Sequence, residues 1–290
     1  MSTFRIDPSP VGDGTRVVRF EREAMIVLVG CGGTGGFLAE AICRLLIGRS
    51  AHVYLVDPDR VEPHNLLRQA FDRGDVGRFK AEVLAGRLSR RFGREIGYAV
   101  LPYTRELHGQ VFREGSSRLN LLIGCVDNAP ARRALADTLD QRGYGYPRAH
   151  QRVWHLDTGN GRNSGQVLLG NATRPEELRG AFLPAAGLCR ALPAPSLQRP
   201  DLLEAQPEPR QLPDCAEAVA EGTQGPTINQ VVAAIAASFV EKMLAGTCEW
   251  MASYLDLDDG TLRCVPAEPK TVATLVGLHV NAVAPPARSA

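Results

Sequence analysis

The stretch Ile26–Gly36, IVLVGCGGTGG, limits what this chain can fold into more than any other. Aliphatic and β-branched residues run into a cluster of glycines, and an apolar helical pattern, Phe37–Ile47, follows at once. That order predicts a buried strand, a tight turn and a helix. Gly30, Gly32 and Gly35 fit G-x-G-x-x-G, with Gly33 inside the same turn. In this fingerprint the first glycine permits the turn, the second lets backbone approach a phosphate, and the third lets helix pack on strand. The first N–H groups of the helix then face an anion. Alone, the motif serves NAD, FAD, SAM or ATP, so a nicotinamide-dependent oxidoreductase is one reading of it.

The next segments narrow the choice. His52–Val56 has the β-branched and aromatic character of a second parallel strand. It ends at Asp57, where a carboxylate can hold ribose hydroxyls. A dinucleotide-binding dehydrogenase would enter its next helix here. Instead the run Asp57–Gln69, DPDRVEPHNLLRQ, forms a loop or short helical turn that delivers Asn65, Arg68 and Gln69. A helix over Phe79–Phe92 begins with Lys80 in its first turn, where a cation opposes the helix dipole unless an anion is near.

Gly97–Leu101 reads as a third strand and Leu119–Val126 as a long buried fourth, closed by Asp127 and Asn128. Ala129-Pro130 opens a helix to about Gln141, with Gly143 as its stop and Asp127 as a candidate cap. In an open parallel sheet ligands sit outside the carboxyl ends of the strands. Gly30, Asp57 and Asp127 should therefore share one crevice.

Outside this core the pattern changes. Residues 1–24 form a polar arm carrying Arg16, Arg19 and Arg22, with VVRF as a possible edge strand. Arg152–Leu156 and Gln166–Gly170 suggest an antiparallel hairpin around the polar loop Asp157–Gly165. Seven prolines between Leu183 and Pro213 mark a long irregular excursion that ends near Cys215. Thr227–Gln230 matches a capping box before the apolar helix Ile228–Ala245, which Gly246 closes. Trp250–Leu257 and Thr261–Val265 read as a terminal hairpin, and 266–290 as a tail. The predicted architecture is α/β: a doubly wound, Rossmann-like, mostly parallel sheet with a C-terminal antiparallel section, in one domain over 25–265.

A net charge of +1 with interspersed signs carries no nucleic-acid footprint. The seven cysteines contain no C-x-x-C pair, which predicts reduced cytosolic thiols and no zinc site. His64, His150 and His155 lack metal-ligand spacing. No leader pattern opens the chain, and the longest largely apolar run, Val231–Val240, is too short to span a bilayer. The expectation is a cytoplasmic protein.

Together, G-x-G-G-x-G after a strand, D-x-D-x-V-x-x-x-N-L-x-R-Q over Asp57–Gln69, Lys80, and C-x-D-N over Cys125–Asn128 resemble the ThiF/MoeB/ubiquitin-activating superfamily. The resemblance covers residues 25–265. The run Leu156–Val167, with the Cys215 and Ile228-Asn229 segments, looks most like the ThiF-family proteins of the plasmid-associated PRTRC system.

The resemblance implies MgATP-dependent adenylation of the C-terminal carboxylate of a ubiquitin-like or sulfur-carrier protein with a β-grasp fold, by a homodimer. It assigns Asp57 to the ribose, Asn65, Arg68 and Lys80 to the phosphates, and Asp127 to Mg²⁺. Asp59, Gln69 and Asn128 belong to the same motifs. Cys215 aligns with a thiol that takes the activated carboxyl in some members, and one of Arg16, Arg19 or Arg22 would reach a dimer mate. Each residue also has a plain reading: Asp57 can cap a turn, Arg68 can pair with Glu62 or Asp72, Lys80 can be solvated, and Cys215 can be a small apolar filler. A third possibility keeps the fold as a non-catalytic partner-binding scaffold.

Overall fold

The structure, a computed structural model, describes residues 4–8, 22–113, 117–140, 152–204 and 227–286. A short strand β1 (Arg5–Ile6) precedes the central strand β2 (Arg22–Val29), whose glycine turn feeds helix α1 (Gly33–Leu45). Strand β3 (Ala51–Val56), helix α2 (Lys80–Phe92), strand β4 (Gly97–Ala99) and helix α3 (Arg105–Arg113) follow. Strand β5 (Ser117–Gly124) leads into helix α4 (Ala129–Leu139), and strands β6 (Val153–Asn160) and β7 (Ser164–Gly170) form a hairpin. After the short strands β8 (Phe182–Leu183) and β9 (Leu188–Cys189) come helices α5 (Pro195–Gln198) and α6 (Ile228–Ala245). Strands β10 (Trp250–Asp256) and β11 (Thr261–Pro266) and helices α7 (Pro269–Val276) and α8 (Val280–Val283) complete the order.

The main sheet has eight strands in the order β11-β10-β7-β6-β5-β2-β3-β4. From β4 to β6 neighbours are parallel; β7, β10 and β11 join antiparallel. Strand β2 therefore lies where the chain turns from building one side of the sheet to building the other. Its residues alternate between two cores. Ala24, Ile26 and Leu28 pack among α1, α2 and α6, while Met25, Val27 and Val29 pack with Val111, Phe112 and Leu135 of α3 and α4. Both faces are covered, so the strand reads as a continuous apolar run.

This is the doubly wound sheet with an antiparallel end that the sequence predicts, with several differences. Helix α1 starts at Gly33, four residues before the predicted start. A Cβ at Gly35 would overlap the Gly30 carbonyl oxygen, so helix and strand meet at a distance only glycine allows. Helix α3 was not anticipated; Gly109 within it and its few apolar residues hide the pattern.

The polar stretch Asp157–Asn160, predicted as loop, is the second half of β6, and only Gly161–Asn163 reverses the chain. The strand is buried almost throughout between β5 and β7, so its polar side chains are interior groups.

The arm is not wholly loose, because Phe4 and Ile6 are buried and β1, β9 and β8 form a second small sheet. The VVRF segment lies outside the described residues. Within the proline-rich excursion, residues up to Glu204 are ordered into β9, α5 and a 3₁₀ turn, Pro200–Leu203, and 205–213 lie outside the described residues. The expected tail holds α7 and α8, with Val272 and Val283 fully buried.

Thr227 precedes α6 without a side-chain capping bond, so the predicted capping box does not form. This helix is long and apolar enough by length and composition to cross a membrane. Here Ile228, Val232, Ala236, Phe239 and Val240 are buried in the core, which gives its apolar character a packing cause.

Gly170 tests the packing of the β7 end. A Cβ there would overlap the Pro193 carbonyl, which is backbone and cannot swing aside. Gly170→Ala should lower unfolding stability by about 1–3 kcal/mol in urea titrations. An unchanged midpoint would show that the Pro193 segment does not pack there.

Candidate active site

The site begins at the end of β2. Gly30 has φ +92, in the left-handed region, and a Cβ on it would lie 2.5 Å from the Cys125 carbonyl oxygen. Only glycine can hold this position. Its N–H donates to the Val56 carbonyl at 2.9 Å, and Cys125 N–H donates to Val29 O at 2.8 Å. The glycine turn is thereby fixed between the ends of β3 and β5. The N-cap of α1 is Gly32, which has no side chain to cap the helix, and a helix start of this kind can take an anion.

Asp57 is buried beneath this turn. Its Oδ2 accepts from Cys31 N–H at 2.6 Å and its Oδ1 from Asp59 N–H at 2.8 Å. Burial pushes the carboxyl above its ordinary range, against the pull of these two donors and of Lys80. The carboxylate holds the glycine turn in place while keeping lone pairs for a further donor.

Lys80 is 8% exposed at the first turn of α2, and its Nζ lies 3.2 Å from Asp59 Oδ2. The anion required to offset the dipole is thus Asp59, whose side chain is 66% exposed. Gln69 stands against the turn as well: a Cβ on Gly32 would be 3.6 Å from its Nε2.

Asn65 is buried, and its Oδ1 accepts from Glu62 N–H at 3.0 Å, which closes the 3₁₀ turn Pro63–Leu67. Arg68 ends that turn half-buried, its N–H donating to Asn65 O at 3.2 Å. Across the crevice Asp127 and Asn128 are exposed after β5. Asn128, not Asp127, caps α4, accepting from Ala131 N–H at 2.9 Å while its Nδ2 donates to Asp127 Oδ1 at 3.2 Å.

The structure therefore gathers Gly30–Gly35, Asp57, Asp59, Gln69, Lys80 and the Cys125–Asn128 loop around the carboxyl ends of the central parallel strands. Cys215, His150, Arg16 and Arg19 lie outside the described residues, and Arg22 opens β2. Burial raises the Cys31 thiol well above its usual range and the Cys125 thiol to about 12, so neither is a ready nucleophile.

Among the described residues no group of three or more His, Cys, Asp or Glu could hold a metal by itself. Asp127 suits a different kind of metal binding. Magnesium takes one or two carboxylates and completes its shell with phosphate oxygens and water. One exposed carboxylate beside a phosphate cradle meets that need.

Two buried polar groupings escaped the sequence reading. Asn229, at the start of α6, accepts from Thr34 Oγ1 at 3.1 Å and from Asn160 Nδ2 at 3.0 Å, and it fills the space a Cβ on Gly33 would take. The second lies behind the Asp127 loop. Asp157 is 1% exposed and His155 3%, and Arg132 Nε stands 3.4 Å from Asp157 Oδ1, an ion pair without hydrogen-bond geometry. Burial pushes Asp157 up to about 6 despite Arg132. Burial and then Arg132 push His155 down to about 3. The signal for this group was present as alternate polar residues in β6.

Comparison with known proteins matches the ThiF family over residues 19–270. Among curated proteins, the chain is 42% identical over 67 residues to the ATP-dependent ubiquitin transferase-like protein Cap2 of Escherichia coli strain TW11681, covering 23% of this chain and 11% of Cap2. It is 33% identical over 116 residues to adenylyltransferase and sulfurtransferase MOCS3 of Bos taurus, covering 39% of this chain and 24% of MOCS3. These matches span only a fraction of each relative's length.

Among solved structures, E. coli MccB with MccA superposes at TM-score 0.54 and 18% identity, covering 88% of this chain and 67% of that one. MccB with ATP gives 0.50 and 16%, covering 84% and 62%. At such identity these likenesses show the shared fold.

His155 provides a test of the buried group. Its unfolded form takes a proton near the ordinary value of 6.5, but the folded form stays neutral down to about 3. The fold therefore loses stability through His155 as pH falls below 6.5, by about 2 kcal/mol at pH 5. Asp157, raised to about 6, acts in the opposite sense between pH 4 and 6 and masks this in the parent. His155→Leu should raise stability more at pH 5 than at pH 8 in denaturant titrations. An equal gain at both would mean that His155 titrates normally in the folded chain.

Proposed function

Since this chain belongs to the ThiF family, which matches residues 19–270, we propose that it is an adenylyltransferase that uses ATP to activate the C-terminal carboxylate of a small ubiquitin-like or sulfur-carrier protein. One observation carries the reading: the glycine turn, Asp57, Lys80 and the Asp127 loop meet at the carboxyl ends of the parallel strands, where the chain passes from building one side of the sheet to building the other. The names of relatives agree with it. Cap2 is named an ATP-dependent ubiquitin transferase-like protein, MOCS3 an adenylyltransferase, and MccB has been solved with ATP and with MccA.

The chemistry asks little of an acid or base. A carboxylate oxygen of the partner attacks the α-phosphorus, the new O–P bond forms, the bond from that phosphorus to the bridging oxygen breaks, and pyrophosphate leaves with the electron pair. The nucleophile is already ionised, so no proton moves. The difficulty is to bring two anions into line and to neutralise the leaving group.

On this reading Asp57 offers its remaining lone pairs to the ribose hydroxyls, and the α1 amides take phosphate oxygens. Lys80 and Arg68 supply positive charge along the phosphate chain, with Asn65 and Gln69 shaping its wall. Mg²⁺, held by Asp127, would lower the negative charge of the phosphates. Asn128 keeps the Asp127 carboxylate oriented through its 3.2 Å hydrogen bond.

The finer parts of the proposal follow the superfamily resemblance. They are a β-grasp partner, a homodimer with an arginine from the partner's arm, membership of the PRTRC type, and transfer of the acyl group to Cys215. A dithiothreitol-sensitive mass adduct on Cys215 would support the last of these.

The decisive measurement is exchange of labelled pyrophosphate into ATP in the presence of a small β-grasp protein. Lys80→Met and Asp127→Ala should each lower the exchange rate about 100-fold. Their thermal midpoints should stay near the parental value. A parent chain that binds no ATP and catalyses no exchange, or that titrates tightly and stoichiometrically with NAD, would overturn the reading.

A further inference from the structure

The loop that carries Asp127 is attached at both ends to one dipeptide of the neighbouring strand. At its start, Thr158 Oγ1 donates to the Gly124 carbonyl at 3.1 Å. At its far end, in the first turn of α4, Arg132 Nη2 donates to the Thr158 carbonyl at 3.2 Å and Arg132 Nε pairs with Asp157 Oδ1 at 3.4 Å. The register of the sheet produces this arrangement, because β5 and β6 run parallel with Gly124 opposite Asp157. The loop Cys125–Asn128 thus spans two anchors that share a single support.

We infer that Asp157 and Thr158 are positioning residues, which set where the Asp127–Asn128 loop stands against the glycine turn. The inference rests on the adenylation reading for its functional meaning, though not for its geometry. A packing role alone does not account for the residue types. Both side chains are buried in the middle of a sheet, where valine or leucine would fill the space without the cost of desolvating a carboxylate.

The surroundings are shaped for the charged pair. A Cβ on Gly124 would lie 2.9 Å from Leu135 Cδ1, 3.2 Å from Asp157 Oδ1 and 3.3 Å from His155 Nε2, and one on Gly159 would lie 2.3 Å from Gln166 Nε2 and 3.0 Å from Arg132 Nη2. Glycines on both strands leave room for the guanidinium and carboxylate to meet. A carboxylate taken out of water holds its cation firmly, since separating the two leaves an uncompensated charge. That firmness is what a loop needs if it must keep an acidic side chain within a fraction of an ångström of a reacting phosphate.

The test uses the full chain without ligand, by amide hydrogen exchange on the parent, Asp157→Asn and Thr158→Val. The amides of Cys125, Ala131 and Arg132 should exchange about tenfold faster in both variants, with β2 and α6 keeping parental protection. Acceleration spread evenly over the sheet would show a general structural role and overturn the inference, as would unchanged protection at the three amides.

Pyrophosphate exchange supplies the functional arm. If the parent is active, the variants should lose about tenfold in kcat with KM for ATP within twofold, and parental kcat in a variant with a loosened loop would overturn the inference. If the parent neither binds ATP nor exchanges, the adenylation reading fails, and amide exchange alone decides whether Asp157 and Thr158 hold the loop.

Discussion

Everything at the carboxyl ends of the central strands depends on the contact between Gly35 and the Gly30 carbonyl. Because no side chain could fit between them, α1 starts within the turn and not a full turn later. The helix therefore presents its first amides at the end of β2, where a phosphate can reach them. The same closeness recurs on the other side, where Gly30 lies against the Cys125 carbonyl. The glycine turn and the start of the loop bearing Asp127 thus pack directly against each other, backbone on backbone.

Around the glycine turn the chain buries polar side chains in two ways. Thr34, Asn160 and Asn229 are hydrogen-bonded to one another and tie α1, β6 and α6 together. Hydrogen-bonded polar groups of this kind help to fix a single arrangement. Asp157 and His155 differ, since both Asp157 oxygens and both His155 nitrogens lack a hydrogen-bond partner among the described residues. Their burial is paid for by packing elsewhere in the sheet, and the return is a charge that grips Arg132. Stability has been given up locally for a fixed position of α4.

The parallel core was legible because its strands are apolar on both faces and its helices keep a clear period. The positions of Gly30, Asp57, Lys80 and Asp127 were legible because each falls at the carboxyl end of a strand or in the first turn of a helix, whereas Arg68 ends a 3₁₀ turn that carries no such period. Strand β6 was not, since Asp157, Thr158 and Asn160 carry the composition of a turn, and only their tertiary partners make a strand affordable there. Phe4 and Ile6 were lost in a polar arm, because two apolar residues show no period and their partner Phe182 is distant in sequence, its ring 5.1 Å from that of Phe4. Asn65 was assigned to phosphate by motif, whereas its Oδ1 is taken by Glu62 N–H and its amide nitrogen is the group left for a ligand.

The Lys80–Asp59 pair has an asymmetry that suits it to an exchange of partners. Lys80 is nearly buried and, without an anion, would bear most of the desolvation cost, whereas Asp59 is largely in water and can be rehydrated when released. On the adenylation proposal, an entering phosphate need only displace the exposed partner, while the ammonium stays where it is. Asp57, held by two backbone N–H groups, cannot follow it. Lys80 is thus held in place by a carboxylate that itself stands largely in water. A lysine exposed to solvent would instead have to be ordered and dehydrated each time a nucleotide arrived.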